Sequence, residues 1–308
     1  YFGSGLRTFD LNILSQYPFS RSFQNVFYPI LFVGFGVLSA LFPFHTWSPD
    51  GHSSAPTAVS MLHAGVLMKL GGYGILRVAM YTLPEGAQMW MPFFLILITI
   101  NVAAGPFIAI KQRDLKYITA YSSVSHLGLV LLGLTVLTFT GLKGSSMQMI
   151  SHGLLTGLFF ALIGMIYGRT HTRNVDEMGG IMKKMPFLGV AFVIAGFAGL
   201  GLPGLSGFVA EVTIFIGAFE NPNPLVRVCT VIAILSIVAT AVYVLKAANA
   251  MLHGPLDEKY SDLTDAVWHE KIAVILLLIG LFGMGLFPGW IADLLDGSVA
   301  PLFNNLHR

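Results

Sequence analysis

Apolar runs of about twenty residues or more recur along the chain, each closed by a short polar segment. They lie near 27–46, 57–81, 91–110, 115–138, 146–168, 186–219, 225–250 and 271–292. A helix of about 20 apolar residues crosses the ~30 Å hydrocarbon core of a bilayer. The pattern therefore predicts an all-α polytopic membrane protein with about eight transmembrane helices. Residues 26–292 form the helical bundle, 1–25 an extramembrane loop and 293–308 a C-terminal tail. The run at 186–219 is too long for one regular crossing. Its centre, 199–207, reads Gly-Leu-Gly-Leu-Pro-Gly-Leu-Ser-Gly. Proline removes a backbone donor and glycine loosens the ladder, so a helix broken in mid-membrane is expected there. A packing kink between two short buried helices is the plainer alternative. A second break is expected near 42–45, at Phe42-Pro43-Phe44-His45, followed by a polar loop over 48–52.

Composition agrees. Hydrophobic residues make up 55% and charged residues 10% of the 308, against about 25% charged in soluble domains. The net charge of +2 gives no reason to expect a nucleic-acid partner. The single cysteine, Cys229, sits in an apolar run and reads as a small buried hydrophobe. The basic residues Lys111, Arg113 and Lys116, and Arg169, Arg173, Lys183 and Lys184, fall in loops two crossings apart. These loops share a face with 251–270, and the opposite loops hold only Lys143. Positive loops mark the cytoplasmic side, which places both chain ends outside. The chain opens Tyr1-Phe2-Gly3-Ser4, with no initiator Met and no signal-peptide pattern, and is expected to be part of a longer polypeptide.

Four ionisable residues stand nearly alone inside apolar spans: Lys69, His126, His152 and Glu211. A charge there costs at least about 3 kcal/mol, so such residues face a bundle interior or a hydrated path. A desolvated lysine exchanges a proton near neutrality more readily, and histidine titrates in the physiological range. Four such groups on four spans suggest a proton relay. Structural pairing, or satisfied core histidines, is the alternative for each taken singly. The hydroxyls of Ser122, Ser123 and Ser125 could order water beside His126. Lys116 and Lys246 lie near span ends, where snorkelling is the default. Asp50 and His52 read as loop hydrogen-bonding groups. No phosphate loop, cysteine cluster or HExxH is present, and haem or zinc ligation by the histidines has no support in their spacing.

Several segments carry a resemblance. Phe42–His52, Ala55–Ala58, Ala64–Gly74, Asp114–His126, Met149–Leu154, Arg169–Arg173 and Gly207–Glu211 resemble the antiporter-like subunit M family of bacterial NADH–quinone oxidoreductase, the mitochondrial complex I subunit 4 family. Cation/proton antiporter and membrane-bound hydrogenase subunits share the general pattern. The resemblance implies that this chain corresponds to helices seven to fourteen of a fourteen-helix fold in a bacterial inner membrane. It further implies contact with neighbouring membrane-arm subunits, proton translocation driven by quinone reduction elsewhere, and no cofactor in the chain. By motif, the family's relay lysine, histidines and glutamate fall on Lys69, His126, His152 and Glu211. Two departures stand out. The family's helix-five glutamate is not in the sequence, and its helix-seven lysine aligns near Leu38. His63, where the family usually has an apolar residue, is a candidate substitute base. A non-pumping scaffold subunit and a sodium/proton antiporter subunit are the rival readings.

Overall fold

The computed structural model describes residues 3–307. The first two residues of the expected loop and the last of the expected tail lie outside them. The described chain forms α1 (Leu11–Gln16), α2 (Arg21–Leu38), α3 (Trp47–Ser54), α4 (Thr57–Met80), α5 (Pro84–Lys111) and α6 (Leu115–Thr135). It continues with α7 (Phe139–Thr170), α8 (Pro186–Gly199), α9 (Ser206–Glu220), α10 (Pro224–Leu252), α11 (Trp268–Leu286) and α12 (Gly289–Leu306). Six of these, α4 to α7, α10 and α11, are long and apolar enough to cross a membrane. The broken pair α8/α9 and the 18-residue α2 fill the other two expected spans.

The helices start where local chemistry caps them. Asp114 accepts the Lys116 N–H ahead of α6, Thr138 that of Gly141 ahead of α7, and Asn223 that of Leu225 ahead of α10. Pro84, Pro186 and Pro224 open α5, α8 and α10, where a missing N–H costs nothing. These caps place several helix starts up to seven residues ahead of the apolar runs.

Helix α2 stops at Leu38 and helix resumes only at Trp47, so the chain is broken across the expected 42–45. Asn101 of α5 fixes the following turn, its Nδ2 donating to Ala40 O (3.1 Å) and its Oδ1 accepting from Phe42 N (2.7 Å). The polar stretch 48–52 is helical, inside α3, rather than a loop. The final residues are not a loose tail: 293–306 belong to α12. That helix is tied down by Gln88 Nε2 to Leu306 O, Asn305 Nδ2 to Tyr81 O and Lys143 to Asp296, each at 2.6 Å. Likewise 1–25 contain α1 and the first turn of α2.

Helix α6 is the hub, with nearly every residue buried. Between apolar helices in lipid there is no hydrophobic drive to associate, so close van der Waals approach matters most. Glycines supply it. A Cβ on Gly144 of α7 would stand 2.6 Å from the Ile214 backbone N of α9, and one on Gly71 of α4 2.8 Å from Ser39 N. The core then divides by depth. One apolar cluster joins Leu115 and Ile118 of α6 to α8, the second half of α7 and the second half of α10. Another joins Leu129–Leu134 of α6 to α2, α5, the second half of α9 and α12. Between them α6, α7 and α9 contribute Ser122, His126, Gln148, Ser151, His152, Ser206 and Glu211, all buried.

Candidate functional site

That polar layer holds three of the four residues singled out from the sequence, and the fourth adjoins it. Glu211 lies in the second turn of α9, just past the irregular stretch 200–205 that breaks the crossing. Gly201 makes the break possible. Its φ is +66°, and a Cβ there would lie 2.7 Å from Glu211 Oε2. Glu211 Oε1 approaches His126 Nδ1 of α6 at 3.2 Å, with both side chains 5% exposed. Gln148 Nε2 of α7 reaches the same oxygen at 3.5 Å. The rings of His126 and His152 stand 5.3 Å apart at 34°. Lys69 follows on α4, its stem beside Gly153, where a Cβ would be 3.9 Å from Lys69 Cε.

Lys69 sits between two π-helical turns, His63–Leu67 and Ile75–Met80. Such turns widen a helix and are frequent at functional sites. Its ammonium donates to Ala64 O, and among the described residues it has no carboxylate partner. It also borders a groove of about 1050 Å³ between α4, α7 and α12.

The hydrogen bonding of this layer is incomplete. Both ring nitrogens of His126 and of His152 lack an aligned partner, as does Gln148 Oε1. The His126–Glu211 approach is thus an ion-pair distance without hydrogen-bond alignment. Buried polar atoms are nearly always satisfied in native proteins. An imidazole pair beside a carboxylate is an arrangement along which a proton can pass by ring rotation.

The serines divide. Ser123 and Ser125 donate their hydroxyls to the carbonyls of Thr119 and Val102. Ser122 instead accepts from Tyr243 of α10 at 2.5 Å. Lys246 reaches Ile110 O at an exposed end, in line with snorkelling. Lys116 does not snorkel: it is 3% exposed and donates to Ala55 O at 2.5 Å. His63 stands apart from the polar layer. Its ring packs on Trp47 (5.1 Å) and on His52 (4.7 Å), and His52 is fully buried. Gln148 and Tyr243 escape notice in the sequence, because an amide and a phenol look unremarkable without their neighbours, and His52, expected as a loop hydrogen-bonding group, is buried inside α3. Among the described residues no group of three His, Cys, Asp or Glu side chains is placed to hold a metal ion.

Residues 2–240 match the family described as NADH:quinone oxidoreductase/Mrp antiporter, TM. The chain is 38% identical to NAD(P)H-quinone oxidoreductase chain 4 2 of a Synechococcus strain over 96% of this chain and 56% of that one. It is 37% identical to NAD(P)H-quinone oxidoreductase chain 4 of Gloeobacter violaceus, over 100% of this chain and 59% of the relative. It thus spans a little under 60% of the length of these curated relatives. In structure it resembles a chain of respiratory complex I from Thermus thermophilus with bound NADH. The TM-score is 0.92 at 29% identity, over 98% of this chain and 63% of that one.

Proposed function

The chain belongs to the NADH:quinone oxidoreductase/Mrp antiporter transmembrane family, and from that premise we propose that it is a proton-translocating membrane-arm subunit of a respiratory NADH–quinone oxidoreductase. The observation that carries this reading is the continuity of Lys69, His152, His126 and Glu211 through one buried layer, ending at a 3.2 Å imidazole–carboxylate contact on a broken helix. Quinone reduction elsewhere in the complex changes the charge beside Lys69. A proton taken from the face with the basic loops reaches Lys69, passes His152 and His126, and leaves from Glu211 toward the opposite face. Lys69 has no carboxylate partner among the described residues, so a charge change beside it acts on its proton with no local counter-ion to offset it. Broken helices at mid-depth free backbone groups to meet water or ions, which suits α8/α9 for this task.

The chain itself is expected to carry no redox cofactor. Its polar layer offers an amine, imidazoles and one carboxylate, groups that carry protons rather than electrons. Its partners are the neighbouring membrane-arm subunits and the lipid of a bacterial inner membrane. His63 supplies part of the base function that the family's helix-seven lysine has and Leu38 lacks. A non-pumping scaffold role is the second reading, and Leu38 is the observation that favours it.

The test compares vesicles containing the parent complex with wild-type or His126→Leu subunit, following proton and sodium uptake during quinone reduction. Loss of proton uptake alone supports the pump. Unchanged uptake points to a scaffold, and sodium-dependent uptake to an antiporter.

A further inference from the structure

A second pair of titratable groups, the buried His52 and the half-buried His63, lies apart from the polar layer that holds Glu211. Helix α3, between the end of α2 and the start of α4, brings its imidazole His52 into the core with 0% exposure. Its Nε2 faces Met68 Sδ at 3.4 Å, a weak partner, and its Nδ1 has none. The ring stacks on Phe160 at 5.0 Å and meets His63 at 4.7 Å. His63 adjoins Ala64, whose carbonyl accepts from Lys69. On the other side, the end of the same short helix opens to water. Ser53 and Ala55 line a vestibule of about 590 Å³ with Asp114, Lys116, His171 and Arg173, on the face that carries the basic loops.

Buried polar side-chain atoms in native proteins nearly always find a partner. His52 has instead a free nitrogen, a second imidazole in ring contact, and a polar vestibule one residue away. We propose that the His52–His63 imidazole pair is the uptake branch of the relay, passing protons from this vestibule to Lys69. The proposal rests on the relay reading given above and adds where its protons come from. Each step moves one proton from an imidazolium to the neutral imidazole or amine beside it, by ring rotation or a bridging water, so no electrons or co-reactant are needed. The charged and titratable groups around the pair are Asp50 on α3, Lys69 on α4, Lys116 on α6, and His152 and Arg173 on α7 and beyond. Asp50 is held by Tyr117 Oη at 3.0 Å and Arg173 by Asp114 at 2.9 Å, so neither competes for the imidazole proton.

The test uses the full complex in vesicles with His52→Gln, which keeps a polar group of similar size. Loss of a positioned proton carrier typically slows transfer about a hundredfold, so proton pumping should fall at least tenfold. Millimolar imidazole added on the vestibule side should restore much of it, which a merely structural defect would not allow. Unchanged pumping, or a loss that imidazole does not restore, overturns the proposal. If His52→Gln fails to assemble, His63→Gln carries the same test with the same expected outcomes. Lys69→Met is run alongside. If it abolishes pumping while both histidine variants pump normally, the uptake branch alone fails. If it too pumps normally, the relay reading falls with it.

Discussion

Replacing Glu211 by Gln removes one charge at the most constrained point of the relay and little volume. The carboxylate oxygen is 3.2 Å from His126 Nδ1, and both side chains are 5% exposed. At that distance an imidazolium and a carboxylate attract by about 5 kcal/mol at an effective dielectric of 20. Glu211→Gln deletes this attraction and leaves a protonated His126 in the core with no counter-charge. Proton passage through His126 should therefore slow sharply. The fold should survive, because an amide can still meet His126 and Gln148. The assay is the initial rate of vesicle acidification during quinone reduction, with assembly checked on a native gel. A drop of at least about a hundredfold with an intact complex is expected. Acidification within twofold of wild type would refute the argument, because it would mean that no proton needs Glu211.

Other consequences concern the frame that holds the relay. Asn101→Leu removes three buried hydrogen bonds, to Ala40 O, Val124 O and Phe42 N. It should cost about 3 kcal/mol and lower the melting temperature of the detergent-solubilised complex. An unchanged melting curve would mean the turn after α2 is held by something else. Arg169→Ala breaks a two-pronged contact to Glu270 at 2.6 and 3.1 Å and leaves that carboxylate poorly paired. A loss of about 3 kcal/mol is expected, read as faster proteolysis of the 253–267 loop, with Arg169→Lys recovering only part. Gly144→Val drives a side chain into the Ile214 backbone, already 2.6 Å from a Cβ there. It should destabilise the packing of α7 on α9 by about 2 kcal/mol and lower the yield of assembled complex. A normal yield would show that α9 can shift without penalty.

Much of this was legible in the sequence because a membrane-embedded chain has few polar residues to hide among. Lys69, His126, His152 and Glu211 each interrupt an apolar run, and the fold gathers the last three in one buried layer with Lys69 beside it. The break at 199–207 was visible for the same reason, since Pro203 flanked by Gly201 and Gly204 interrupts the helical ladder. What stayed hidden depends on three-dimensional neighbours. Nothing along the chain says that Asn101 of α5 would fasten a turn some sixty residues earlier and end α2 at Leu38. His52 lies in a polar stretch that looks solvated, yet α3 folds it against Phe160 and His63. Lys116 sits at a helix start, where reaching for water is usual, but the α3–α4 turn covers it. The C-terminal helix was missed because its buried face, Ile291, Val299, Leu302 and Leu306, is spread among polar residues and reads as amphipathic only once α5 and α7 are beneath it.

The most direct measurement is proton pumping by the reconstituted parent complex carrying Lys69→Met, with quinone reductase activity recorded in the same vesicles. In the proposed relay the buried amine of Lys69 is the point at which a proton is loaded, so pumping and quinone reduction should fall together while the complex stays assembled. If both remain near wild type in an assembled complex, the polar layer is packing rather than pathway, and the chain is a scaffold.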